Sequence, residues 1–136
     1  MSSTAANPDL RAQKLVASYV RAGYTPIDPP ILQPAEPFLD LSGEDIRRRM
    51  FLTSDPQGRE LCLRPDLTIP VSRAYLQSPA AGKAAAFCYH GAVFRHREGF
   101  NAEFVQAGIE SFARNDTAAA DAEMLALALA ATTLYG

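Results

Sequence analysis

Phe94-Arg95-His96-Arg97-Glu98-Gly99-Phe100-Asn101-Ala102-Glu103-Phe104-Val105-Gln106-Ala107-Gly108-Ile109-Glu110 is the stretch that decides the fold. Its alternation predicts a long β-hairpin. In the first arm, Ala86 to Arg97, one face carries Tyr89, Gly91, Val93, Arg95 and Arg97. In the second arm, Phe104 to Ala113, one face carries Phe104, Gln106, Gly108, Glu110 and Phe112. Val105, Ala107, Ile109 and Ala113 point the other way, because strand side chains alternate with a period of two. The Val-Ala-Ile side is expected to sit on a core. On the polar side Gln106 and Glu110 flank Gly108, which has no side chain, so a small ligand can approach the backbone there. Gly91 and Gly108 are the expected floor of a pocket.

Working outward, Asn7-Pro8-Asp9 starts a helix: a capping side chain, a proline suited to the first turn, and an acid at the positive end of the dipole. Leu15, Val16, Tyr19 and Val20 form its apolar stripe, and Gly23 supplies the left-handed stop. A short strand near Tyr24 to Asp28 follows. The stretch Pro29 to Pro37 is then extended and can be neither helix nor central strand. Met50 to Thr53 and Glu60 to Leu63 read as strands joined by the turn Asp55-Pro56-Gln57-Gly58. Asp66 or Thr68 caps a helix to about Leu76, and Ser78 to Gly82 is a loop. Asn115-Asp116-Thr117 caps a helix from Ala118 to about Leu134, whose expected core stripe is Ala122, Leu125, Ala126 and Leu129. This order predicts an α+β fold, a largely antiparallel sheet flanked by helices. Residues 1–136 are expected to form one domain, with 1–7 a flexible tail.

Composition narrows the function classes. The 136 residues suffice for a core; 48% are hydrophobic and 21% charged. No run reads as a membrane span, and the first residues lack the basic start and apolar stretch of a secretory signal. The net charge of -2 argues against nucleic acid as partner, since phosphate backbones need clustered cations. Cys62 and Cys88 are isolated in apolar contexts, which predicts buried thiols in a reducing, cytoplasmic setting. His90 and His96 have no third ligand nearby, so no metal site is expected. Arg47-Arg48-Arg49 reads as a solvated run, or else as a surface for an anionic partner.

The pattern Phe-Arg-x-x, a loop, then Phe-x-Gln-x-Gly-x-Glu resembles motif 2 of the class II aminoacyl-tRNA synthetases in its histidyl form. Leu63-Arg64-Pro65-Asp66-Leu67-Thr68-Ile69-Pro70 resembles a segment of histidyl-tRNA synthetases that reads Leu-Arg-Pro-Glu-Gly-Thr. Its Asp-Leu-Thr-Ile-Pro form is closer to a related family, the regulatory subunits of ATP phosphoribosyltransferase. The helix, strand and proline order near the start resembles motif 1, whose family role is the dimer interface. The resemblance runs from about Leu10 to Leu134 and covers only the front part of the family fold, ending before a third motif.

The resemblance implies a histidine-binding set of Asp66, Thr68, Arg95, Gln106 and Glu110. Arg95 matches the arginine that holds the carboxylate and α-phosphate of the reacting groups; the others match residues that contact the amino group and ring of histidine. Asp66 stands where the synthetases carry Glu. From the residues alone, Arg95 is equally a strand arginine paired with Glu110 or Glu103. Asp66 and Thr68 are equally helix caps, and Gln106 and Glu110 an exposed strand face. A dimer contact is implied on Leu15, Val16, Tyr19, Val20 and Pro30.

Arg97 replaces a glutamate of the synthetase motif. The loop Glu98 to Glu103 is short, and Ala102 lies near where a second arginine belongs. Adenylation depends on positioning ATP and stabilising charge at the transferred centre, so synthetase chemistry is expected to be lost. The expectation is a non-catalytic regulatory subunit with no cofactor. Its partners would be a short-form ATP phosphoribosyltransferase catalytic subunit, a second copy of itself and free histidine. The alternatives are a histidyl-tRNA synthetase fragment and a synthetase-like dimerisation module.

Overall fold

The computed structural model describes residues 8–135; the expected tail at 1–7 and the cap at Asn7 lie outside the described residues. Two compact units divide the chain. The described part of the first comprises residues 8–27, 82–90 and 108–135, and the second comprises Asp28–Ala81 and Gly91–Ala107. There are two three-stranded sheets, ordered β1-β5-β6 and β2-β4-β3.

The first unit is built on two helices. Helix α1 (Pro8–Arg21) ends where Gly23 adopts φ 97°, and the Tyr24 N–H returns to the Tyr19 carbonyl at 3.0 Å. That reversal sends β1 (Thr25–Pro26) alongside β5 (Ala85–Phe94), with Thr25 opposite Phe87 and Pro26 opposite Cys88 in parallel register. After β6 (Glu103–Phe112), Ala113 turns the chain at φ 57° into α5 (Thr117–Tyr135). Leu15, Tyr19, Tyr24 and Cys88 form the buried core, closed by Ala86, Ile109, Met124, Leu127, Ala131 and Leu134.

That core corrects two expectations. The stripe predicted for α5 faces outward: Leu125 is 63% and Leu129 61% exposed, while Met124, Leu127, Ala131 and Leu134 pack inward. The helix is apolar nearly all round, so its periodicity does not choose a face. It also supplies a window, Thr117–Leu134, long and apolar enough by length and composition to cross a membrane. No such run was expected from the sequence; in this unit its Met124 face packs in the core and the Tyr24 hydroxyl lies 3.3 Å from the Met124 sulfur.

The second unit holds the antiparallel sheet. β4 (Glu60–Leu63) is central, with β2 (Leu32–Pro34) and β3 (Leu52–Ser54) at its edges; Gln33 and Leu52 both stand opposite Cys62. Pro34 is tolerated because its strand is an edge. The β3–β4 turn is fixed by the Asp55 carboxylate, which accepts the N–H groups of Gln57 (3.0 Å) and Arg59 (2.9 Å), while Gly58 adopts φ 81°. Helices α2 (Glu36–Leu41) and α3 (Glu44–Arg49) were not anticipated. Each is under two turns, too short for a periodic signal; Pro37 in the first turn of α2 was the available cue. Helix α4 (Thr68–Leu76) falls where expected. Ala35, Phe38 and Cys62 are the buried centre, packed by Leu39, Met50 and Ile69.

Of the Val-Ala-Ile side of β6, only Ile109 reaches a core; Val105 is 60% exposed and Ala107 is exposed as well.

Candidate functional site

In the second unit the hairpin residues meet the start of α4. The Gln106 side-chain Oε1 accepts the Leu67 N–H at 2.8 Å, and the Asp66 carboxylate accepts the Ile69 N–H at 3.1 Å. Both groups satisfy helix-terminal amides that would otherwise lack acceptors. Gln106 keeps its amide donors, and Asp66 keeps a carboxylate oxygen. Thr68 opens the helix.

Arg95 makes no ion pair with Glu103 or any other described residue. Its guanidinium carbon lies 4.8 Å from the Phe104 ring centroid, and its Nε is buried without a hydrogen-bond partner. A buried charged donor with no acceptor is costly, and an anionic ligand removes that cost. Arg97 differs. Its Nε and Nη2 both donate to the Asn101 carbonyl, at 2.9 and 2.5 Å, and its guanidinium carbon stands 4.0 Å from the Phe104 centroid. Arg97 thus closes the hairpin turn.

The expected pocket floor at Gly91 is covered. A Cβ at Gly91 would stand 2.7 Å from Nη2 of Arg64. Arg64 is 2% exposed and donates to the carbonyls of Ala92 (2.8 Å) and Pro29 (2.6 Å). Burial lowers its pKa, opposed by the charge of Asp28. Gly91 is therefore the space through which a buried guanidinium reaches backbone oxygens. Nearby, burial first, then Asp66 and Glu60, push the Cys62 thiol up to about 11. That thiol is neutral and inert.

In the first unit Gly108 is covered in the same way. A Cβ there would lie 2.6 Å from Cζ of the buried Tyr89 and closer still to its hydroxyl. That hydroxyl is 3.1 Å from a Glu110 carboxylate oxygen and donates to it. Arg64 and Tyr89 are the two side chains sequence reasoning missed. A lone Arg after the apolar run Leu61-Cys62-Leu63 was one signal; the alternation already put Tyr89 on the face of Gly91.

For the expected dimer patch, Leu15 and Tyr19 are buried in the first unit's own core and Val16 packs against it. Val20 and Pro30 are exposed.

Fold and hairpin together define a class II aminoacyl-tRNA synthetase-like catalytic fold. A crystal structure of an ATP phosphoribosyltransferase regulatory subunit/histidyl-tRNA synthetase from Bacillus halodurans matches with TM-score 0.81 and 29% identity, over 94% of this chain and 33% of that one. A histidine–tRNA ligase subunit from Alicyclobacillus acidocaldarius has the same fold, with TM-score 0.76 and 22% identity over 98% and 40% of the two chains.

The chain belongs to the histidyl-tRNA synthetase family, whose model matches residues 3–136. Among curated relatives, one from Sinorhizobium medicae is 48% identical over 118 residues, covering 87% of this chain and 31% of the relative. Another, from Brucella ovis, is 52% identical over 103 residues, covering 76% and 27%. Both are named ATP phosphoribosyltransferase regulatory subunit. The chain spans about a third of the length of these relatives.

Proposed function

We propose that this chain is part of a non-catalytic regulatory subunit of ATP phosphoribosyltransferase and binds free histidine as an effector. It acts on a short-form catalytic subunit, in the cytoplasm, in the first step of histidine biosynthesis. The observation that carries the reading is Arg95, whose buried Nε lacks an acceptor. A histidine carboxylate is a matched acceptor for a guanidinium. In the resemblance Asp66, Thr68, Gln106 and Glu110 receive the ammonium and ring, as acceptors suited to those N–H groups.

Loss of synthetase chemistry rests on Arg97. Its guanidinium holds the Asn101 carbonyl and lies on Phe104, where the synthetase motif places a carboxylate. Histidine then binds without being adenylated, and its binding energy biases an assembly equilibrium by ~1–3 kcal/mol, the usual size of such coupling. The test is calorimetric titration of histidine against the full-length protein, alongside histidine-dependent pyrophosphate exchange into ATP. Saturable histidine binding with exchange at the level of a no-enzyme blank is expected. Exchange clearly above that blank would overturn the regulatory reading in favour of a synthetase fragment.

A further inference from the structure

The first unit has a cavity of its own, of about 280 Å³, where the turn after α1, the start of β5 and the end of β6 meet α5. Ala22, Gly23, Ala84, Ala85 and Ala86 form one wall, so no side chain there is longer than a methyl. A Cβ at Gly23 would meet nothing within 4 Å, which leaves that wall open. The remaining lining is polar: Tyr24, Ser111, Arg114 and Glu123. The volume is small beside drug-sized pockets, so it suits a small group. None of the proposed histidine contacts takes part in it.

The charges decide which sign of ligand can enter. Arg114 is the cation of the lining, and it is already committed. Its Nε and Nη2 donate to the Asp116 carboxylate at 3.0 and 2.7 Å, and its Nη1 donates to Glu123. An incoming anion would have to break one of these charge-assisted bonds. Two carboxylates stand against one guanidinium, so the cluster keeps an excess of negative charge. Glu123 gives one oxygen to Arg114 and retains the other as an acceptor.

We propose that this cavity binds a primary ammonium carried on a short alkyl stem. An ammonium has three N–H donors and no acceptor. Glu123 supplies a carboxylate oxygen, and Tyr24 and Ser111 supply hydroxyl oxygens. Tyr24 is 3% exposed, and its hydroxyl meets the Met124 sulfur at 3.3 Å, a weak acceptor that leaves the oxygen lone pairs unused. Burial first, then the charge of Glu123, raise the Tyr24 pKa against the pull of Arg114, so the phenol stays neutral. The stem lies on the alanine wall. The ligand is either a free alkylamine or a lysine side chain of another protein, and both present the same ammonium and stem.

The experiment titrates n-butylammonium into the full-length protein at neutral pH and low salt, by calorimetry. Saturable binding of one cation per chain is expected. Tetramethylammonium has the same charge but no N–H, so it should bind at least tenfold more weakly, the scale of one charge-assisted contact. Glu123→Gln should weaken butylammonium by about tenfold. Glu44→Gln, an exposed acid of the second unit with the same change in net charge, should leave it unaltered. Nα-acetyl-lysine amide distinguishes the sources: binding as tight as that of butylammonium identifies a protein lysine, and weaker binding a free amine. Absence of saturable butylammonium binding by the wild-type protein overturns the proposal. So does equal binding of tetramethylammonium, or equal weakening by Glu123→Gln and Glu44→Gln, either of which would mean diffuse charge attraction.

Discussion

The Tyr89 hydroxyl donates to the Glu110 carboxylate at 3.1 Å while its ring lies over Gly108. One residue therefore explains two others. Glu110 is held by a phenol that stays buried, and Gly108 is glycine because the ring needs the room.

A side chain at position 108 must then move Tyr89. The Cβ of Gly108→Ala would stand 2.6 Å from Tyr89 Cζ, a contact that real Cβ atoms essentially never make. Overpacking of this kind costs roughly 1–3 kcal/mol. Urea denaturation should show that loss in Gly108→Ala and little further loss when it is added to Tyr89→Ala. Additive costs in that double-mutant cycle would dissociate the two residues.

Arg64 repeats the relationship with Gly91. Its guanidinium is buried and donates to two carbonyls, so Arg64→Met leaves the oxygens of Ala92 and Pro29 without these donors. Unsatisfied buried acceptors cost about 1–3 kcal/mol each. Arg64→Lys should recover only part of the loss, since an ammonium lacks the planar fork. Equal stability of Arg64→Met and wild type in thermal unfolding would contradict this.

The buried thiols give a pH dependence with a definite sign. Cys62 has its pKa raised from 9.0 to about 11, and that of Cys88 is raised by burial as well. A raised folded-state pKa means the contribution is complete below the unfolded value and is lost as pH rises. Between about pH 9 and 11 the unfolded thiols ionise first, so stability should fall, by an amount on the order of 2 kcal/mol for Cys62. Both thiols should resist a thiol reagent at pH 8 until denaturant is added; rapid labelling of the native chain would refute their placement.

The long hairpin, the strand pair about Asp55-Pro56-Gln57-Gly58 and the long helices were legible because each carries its own period or turn chemistry, whereas β2 was read only as extended chain. Asp55-Pro56-Gln57-Gly58 is a turn whichever core it serves, and the Asp55 carboxylate closes it locally. The face of α5 was not legible. Leu125 and Leu127 are alike as residues, and only the packing of Met124 with Tyr24 and of Leu127 in the core selects the inward side. The site was legible in its residue types but not in its packing. The alternation puts Tyr89 on the face of Gly91, but it does not show that Arg64 and Tyr89, 27 and 19 residues away in sequence, are the side chains that cover Gly91 and Gly108.

That selection is itself testable. Leu127 packs against the first unit's core and Leu129 is mostly exposed. Leu127, partly buried against that core, should lose about 1–2 kcal/mol on truncation to Ala, less than a fully buried Leu, and Leu129→Ala no more than ~0.5 kcal/mol. Reversed magnitudes in chemical denaturation would restore the outward stripe as the core face.

Arg95 separates function from structure most sharply. Its Nε–H is buried without a partner, so the group contributes to the unliganded fold mainly through its stem and its position over Phe104. Arg95→Met keeps the stem and removes the unpaired donor. The cation–π contact is worth only ~0.5–1 kcal/mol, and relief of the unsatisfied donor offsets it. Stability should therefore change little or rise, while histidine affinity in the full-length protein falls by roughly 1–3 kcal/mol, about 5-fold to 150-fold. A purely structural arginine gives the opposite pair of results: a destabilised chain whose affinity for histidine is that of wild type. Measuring melting temperature and calorimetric affinity on the same preparation decides between them, because loss of fold cannot produce lower affinity at unchanged stability.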